Sequence, residues 1–131
     1  MHIDELTKLV INLCIKIHTR IGPGCFEKVY EEILYYELIR AEIKVERQLL
    51  LPINYEELNI RRAYKLDLLV DDKLIVELKS IQPLPPVFYN QLQTYLVLTN
   101  LKHGLLLNFK VPLMKDGIHR VFNNKGREQI L

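Results

Sequence analysis

The sequence has no tryptophan, a single serine and only two cysteines. Ser80 is that one serine and no GxSxG surrounds it, so serine-based catalysis has no scaffold. Cys14 and Cys25 form no CxxC pair, and Cys14 falls on an apolar helical stripe, which predicts a buried free thiol. With no signal-peptide pattern at the start, the expectation is a reducing, cytoplasmic setting. The four histidines, His2, His18, His103 and His119, show no HxxxH or HExxH spacing, which argues against a zinc site. Gly22-Pro23-Gly24 is not a phosphate-cradling GxGxxG and reads as a turn. An excess of one charge is also missing. Lys and Arg number 18 against 16 Asp and Glu, a net charge of +2, which excludes a highly charged nucleic-acid coat but not a local basic face. No uncharged apolar run approaches the ~18 residues of a membrane span. The longest uncharged stretch, Ser80 to Leu101, is interrupted by Gln82, Asn90, Gln91, Gln93, Asn100 and three prolines, so no membrane partner is expected.

What remains is ordinary globular material: 131 residues, 49% hydrophobic and 26% charged. The expectation is one domain over 1–131, without repeats or linker. Ile3, Leu6, Val10, Leu13, Cys14 and Ile17 recur at helical steps from about His2 to Thr19. After the Gly-Pro-Gly turn, Phe26, Val29, Tyr30, Ile33 and Leu34 predict a second helix over about Cys25 to Ala41. Strands follow over Val45 to Tyr55, where Pro52 marks an edge or a bulge, over Leu58 to Val70, and over Leu74 to Ile81. In the second strand Tyr64, Leu66, Leu68 and Val70 are expected on one face, with Arg61, Ala63, Lys65, Asp67 and Leu69 on the other. Pro83, Pro85 and Pro86 precede a helix from about Val87 to Leu98. Gly104 to Phe109 reads as a buried strand, Ile118 to Phe122 as an edge strand, and the tail from Asn123 as a fraying polar end. The order is ααβββαβ(β), an α+β or mixed α/β sheet with helices packed on it.

Three charged residues sit where strands want apolar side chains: Asp67, Glu77 and Lys79. Buried charge is expensive unless paired or bound to a metal. Two carboxylates on neighbouring strands make a hard oxygen site suited to Mg²⁺ or Mn²⁺, and Lys79 shares a face with Glu77. The register decides whether they meet. A three-residue loop at Asp71-Asp72-Lys73 sets Val70 against Leu74, Asp67 against Glu77 and Lys65 against Lys79, whereas a two-residue loop scatters the charges to opposite faces.

Asp67 followed by Glu77-x-Lys79 resembles the signature of the PD-(D/E)XK nuclease superfamily. Gly24-x-x-Glu27-x-x-Tyr30 resembles the motif of the GxxExxY proteins, a branch of it, and Gln91-x-x-x-Tyr95 is similar to the QxxxY element of RecB-type nucleases. The similarity runs from about residue 5 to 122, with one departure: Leu66, not proline, precedes Asp67. The resemblance implies a restriction-endonuclease-like core, a central mixed sheet flanked by helices. It implies Mg²⁺, with Mn²⁺ as a substitute, held by Asp67, Glu77 and the backbone carbonyl of Leu78, and by Glu27 directly or through water. It implies that Lys79 assists the attacking water, Gln91 steadies the site or the scissile phosphate, and Tyr30 and Tyr95 support them. The implied reaction is endo- or exonucleolytic hydrolysis of a phosphodiester, in DNA rather than RNA, by a homodimer.

Each residue also has a plainer reading. Glu77 and Lys79 can form a solvent-facing pair on a one-sided sheet. With Gly24 as N-cap, Glu27 can close a capping box. Tyr30 and Tyr95 can be core, and Gln91 can face solvent. Arg61, Arg62 and Lys65 flank Asp67, and Arg47 precedes them; they can contact phosphates or form a solvated face. The rival functions are a catalytically inactive nucleic-acid-binding module and a protein-interaction domain on the same fold.

Overall fold

A computed structural model of the chain describes residues 1–123. Helix α1 (Ile3–Ile21) buries Leu6, Val10, Cys14 and Ile17, one stripe at three- and four-residue steps. The His2 ring accepts the Asp4 N–H at its start, and Gly22, at φ 73°, ends it in a backbone conformation that glycine adopts without strain. Helix α2 (Glu27–Arg40) buries Tyr30, Glu31, Leu34 and Leu38. Strands β1 (Val45–Tyr55), β2 (Leu58–Val70), β3 (Leu74–Lys79), β4 (His103–Asn108) and β5 (Ile118–Phe122) form one five-stranded sheet in the order β1-β2-β3-β4-β5. Only β3 and β4 run parallel, and helix α3 (Val87–Thr99) supplies the crossover that a parallel pair needs. The expected α+β order is thus present, including β5 at its expected bounds.

The sheet separates two apolar cores. On one face, Leu68, Val70, Leu74, Val76, Leu78, Leu105 and Leu107 pack under α1 and α2, with Phe109 and Met114. On the other, Leu66, Ile75, Leu106 and Val121 pack against Leu92, Tyr95 and Leu96 of α3. Strand β4 is buried on both faces, which explains its nearly continuous apolar sequence. Strand β1 is an edge, and its register shifts between Leu51 and Ile53, so Pro52 marks both an edge and a bulge. Cys14 is a buried free thiol. Among the described residues no helix is long and apolar enough to cross a membrane.

Four expectations need correction. The single face drawn through Tyr64, Leu66, Leu68 and Val70 is broken. Leu68 and Val70 belong to the α1/α2 core, whereas Tyr64 and Leu66 pack on the α3 side, so the alternation switches at Asp67. The β2–β3 ladder stops at Leu68–Val76, and Lys79 pairs with Asn108 of β4 rather than with Lys65. The capping box is absent. Phe26 is the N-cap of α2, no side chain caps it, and Glu27 is the first helical residue. Asn123 is tied down rather than frayed: its side chain donates to the Leu96 and Leu101 carbonyls, and its N–H donates to Lys102. The rest of the expected tail lies outside the described residues.

The Gly22-Pro23-Gly24 turn is fastened from below by Tyr30. Its hydroxyl donates to the Gly22 carbonyl at 2.5 Å and accepts the Cys25 N–H at 3.1 Å, while its ring stacks on Phe109 at 4.1 Å. Ser80 donates to the Cys25 carbonyl at 2.9 Å, which ties the same turn to the end of β3. Tyr30→Phe keeps the stacking and strips two backbone groups of their partner. It should lower unfolding free energy by about 1–3 kcal/mol, read as an earlier midpoint in chemical denaturation. An unchanged midpoint would mean that the hydroxyl does not hold the turn.

Candidate active site

The loop between β2 and β3 is three residues long. Val70 faces Leu74, the Lys73 N–H returns to the Val70 carbonyl at 3.0 Å, and Asp71 and Asp72 both take positive φ. Carried to its next step, that register sets Asp67 against Glu77. There the backbone ladder ends and side chains take over. Glu77 Oε2 accepts the Asp67 N–H at 2.7 Å, and Asp67 Oδ2 accepts the Leu78 N–H at 2.9 Å. Each carboxylate therefore replaces a carbonyl of the opposite strand. The two strands are braced apart at the point where β2 leaves β3, and Asp67 Oδ1 and Glu77 Oε1 remain for other partners.

Glu77 is only 3% exposed, so it is not half of a solvent-facing pair. Lys79 Nζ lies 3.9 Å from Glu77 Oε1 and 4.3 Å from the centre of the Phe88 ring on α3, which holds the ammonium over an aromatic face. Burial, and then the Asp67 carboxylate beside it, push Glu77 up to about 8; Lys79 opposes this without overcoming it. Glu27 stands at the exposed start of α2. Loss of water around its carboxyl raises its pKa most, the Asp67 and Glu31 charges raise it further, and Lys79 pulls it down. Glu27, Asp67, Glu77 and Lys79 thus feel one another across α2, β2 and β3.

Two residues of this neighbourhood escaped the sequence reading. Glu31, one turn after Glu27 on α2, is 5% exposed. Its Oε1 accepts from Gln48 Nε2 at 2.6 Å, and the same nitrogen lies 3.4 Å from Asp67 Oδ1. Burial, then Asp67, raise the Glu31 pKa. The i, i+4 spacing of Glu27 and Glu31 was the available signal. Nothing in the sequence marks Gln48.

The other candidates are placed more loosely. Gln91 is half-buried on α3, one turn before Tyr95, and its side chain makes no hydrogen bond among the described residues. Tyr95 is core: its hydroxyl is 3.5 Å from the Lys65 carbonyl, and burial, then the Glu77 and Asp67 charges, raise its pKa, so it stays protonated. Tyr30 serves the turn before α2. Arg61, Arg62 and Lys65 are exposed on the half of β2 that precedes the brace, Lys65 two residues before Asp67. Arg47 is engaged on α2, paired with Glu32 at 2.7 Å and stacked over Tyr35 at 4.5 Å.

Among the described residues no three or more His, Cys, Asp or Glu side chains converge as a metal cage. As they lie, the carboxylates close on backbone N–H groups rather than on a common point. Their chemistry nevertheless fits a hard divalent cation. Asp67 and Glu77 are oxygen-only donors, each with one oxygen clear of the backbone, and the Lys79 ammonium sits 3.9 Å from Glu77.

The raised Glu77 pKa makes stability depend on pH. Below its ordinary value of 4.5 both folded and unfolded chains hold the proton; above about 8 neither does. Between these limits the folded state binds the proton more tightly, so stability falls as pH rises. Without divalent ions the melting temperature should drop by roughly 5–10 °C between pH 5.5 and 8.5. Glu77→Gln should flatten most of that drop, and an equally steep profile in the variant would refute the assignment.

The geometry can be set beside known proteins. The family model of the PD-(D/E)XK nuclease superfamily matches residues 4–121. No curated protein and no solved structure matches the chain. The family match runs from the first turn of α1 into β5 and takes in both strands of the carboxylate brace, so the chain belongs to the PD-(D/E)XK nuclease superfamily.

Proposed function

We propose that this protein is a Mg²⁺-dependent nuclease of the GxxExxY branch that hydrolyses phosphodiester bonds of DNA rather than RNA. The observation that carries the reading is the reciprocal brace of Asp67 and Glu77 with Lys79 beside it. Glu77 is buried and Asp67 half-buried beside it, an arrangement that contributes little to stability by itself, and a divalent ion gives both a partner. The order Gly24, Glu27, Tyr30, then Asp67, Glu77, Lys79, then Gln91 and Tyr95 supports the branch.

Asp67 and Glu77 would hold the ion through the oxygens that the backbone does not claim. Leu78 gives its N–H to Asp67, and an extended residue turns its carbonyl to the same strand edge, so that carbonyl is the natural third ligand. Glu27 would complete the set directly or through water. Bound there, Mg²⁺ lowers the pKa of a coordinated water and neutralises charge gathering on the phosphate; Mn²⁺ can replace it. Lys79, steadied by Phe88 and Glu77, would orient the attacking water. Gln91 would contact the scissile phosphate from α3, with Tyr95 packed behind it. Arg61, Arg62 and Lys65, exposed along β2, would touch phosphates farther along the strand. A single domain of this size with a net charge of +2 offers little basic surface, which favours a homodimer; the two free cysteines favour a reducing, cytoplasmic setting.

Incubation with plasmid, linear and branched DNA in Mg²⁺ or Mn²⁺ tests the reading. Cleavage should appear with the ion and vanish with chelator. Asp67→Ala and Lys79→Ala should each lower the rate at least ~100-fold, the scale of removing a group that stabilises the transition state. Cleavage that survives either substitution would place the site elsewhere. Binding without cleavage by the unaltered protein would favour a non-catalytic module instead.

A further inference from the structure

Gln48 is a non-glycine residue at φ 55° inside an extended strand. Left-handed backbone costs a side-chain-bearing residue roughly 1–2 kcal/mol, and such strain persists where something else depends on it. Its consequence is visible in β1. Neighbouring residues of a strand point to opposite faces, yet Arg47 and Gln48 both reach α2, the first at Glu32 and the second at Glu31. The twist at Gln48 also falls level with Asp67, where β2 changes faces: Arg47 pairs with Leu68 and Leu49 with Leu66, while Gln48 and Asp67, which lie between them, both drop out of the ladder.

Glu31 is equally hard to explain by stability. Its carboxyl is buried, and Oε2 accepts no hydrogen bond among the described residues. A length-matched apolar residue would fill the same space without that penalty. What the carboxyl does is hold Gln48. One amide nitrogen lies 2.6 Å from Glu31 Oε1 and 3.4 Å from Asp67 Oδ1, and its two hydrogens serve one acceptor each. Asp67 is therefore fixed from both sides, by the Leu78 N–H of β3 at Oδ2 and by Gln48 of β1 at Oδ1.

We infer that Gln48 and Glu31 are positioning residues for the Asp67 carboxylate: Glu31 orients the Gln48 amide, and the amide sets the oxygen that Asp67 presents to a divalent cation. The inference rests on the proposed metal-dependent function. It adds two residues that neither touch the ion nor belong to the Asp-Glu-x-Lys pattern. Groups hydrogen-bonded behind a metal ligand typically change metal affinity 10–100-fold when removed.

Mn²⁺ titration by calorimetry, paired with thermal denaturation of the metal-free protein, separates this role from a structural one. Gln48→Gly suits the left-handed backbone and removes the amide. It should leave the melting temperature unchanged or higher while weakening Mn²⁺ binding at least ~10-fold. Glu31→Met should do the same by removing the acceptor. Glu31→Gln keeps an acceptor oxygen and should stay within about threefold of the unaltered affinity. Variants that bind Mn²⁺ as tightly as the unaltered protein would overturn the inference and leave the nuclease reading standing. A fall in melting temperature with unchanged Mn²⁺ affinity would likewise overturn it, because the strain would then be structural. Absence of Mn²⁺ binding by the unaltered protein would refute the nuclease reading itself, and this inference with it.

Discussion

The reciprocal hydrogen bonding of Asp67 and Glu77 is the constraint around which the rest of the molecule is arranged. An antiparallel pair of strands would ordinarily continue its ladder past Leu68 and Val76. Here two side chains intercept the next backbone donors, so the strands part while remaining tied. The parting frees β3 to pair with β4 alone as far as Lys79, and it releases β2 to turn its outer half toward α3. The same event creates the site. Two acidic groups are held near the end of a buried strand, with Glu27 and Glu31 of α2 acting on them electrostatically and Phe88 of α3 packed against the neighbouring Lys79 ammonium.

Two cores make such a device affordable. The α1/α2 core and the α3 core each bury a set of large aliphatic side chains, and β4 joins them from the middle of the sheet. Each well-packed leucine in such a core is worth about 2–5 kcal/mol against alanine. Several such side chains together outweigh the cost of one raised carboxylate and one left-handed residue. Rigidity at the centre also limits where motion can occur, because Tyr30 and Ser80 fasten the turn before α2 to the end of β3. Glu27 is therefore carried on a helix whose start is fixed relative to the strand bearing Glu77.

The residues that obey period and pairing were legible in the sequence. Apolar spacing placed the first two helices, the prolines before Val87 placed the third, and the three-residue loop put Asp67 against Glu77. Pro52 announced both the edge and the bulge. What stayed hidden shares one cause: backbone that departs from the regular pattern. The left-handed residue at Gln48 has no sequence mark, so the change of face at Asp67 was invisible, and Tyr64 and Leu66 were assigned to the wrong core. Glu31 looked like any polar residue on a charged helix, because its burial depends on that same twist bringing β1 against α2. The apolar stripe after the Gly-Pro-Gly turn set the start of α2 two residues early; in the fold Glu27 opens the helix, no side chain caps it, and the charges of Lys79 and Asp67 act on its carboxyl.

The central claim is that the carboxylates left over from the backbone brace exist to hold a divalent ion. Crystals of the protein soaked in Mn²⁺, with anomalous scattering recorded, test it most directly. The account predicts one anomalous peak between Asp67 and Glu77, within reach of Glu27 and the Leu78 carbonyl. No peak there, with the Asp67 and Glu77 carboxylates still closed on the backbone at saturating Mn²⁺, would contradict it.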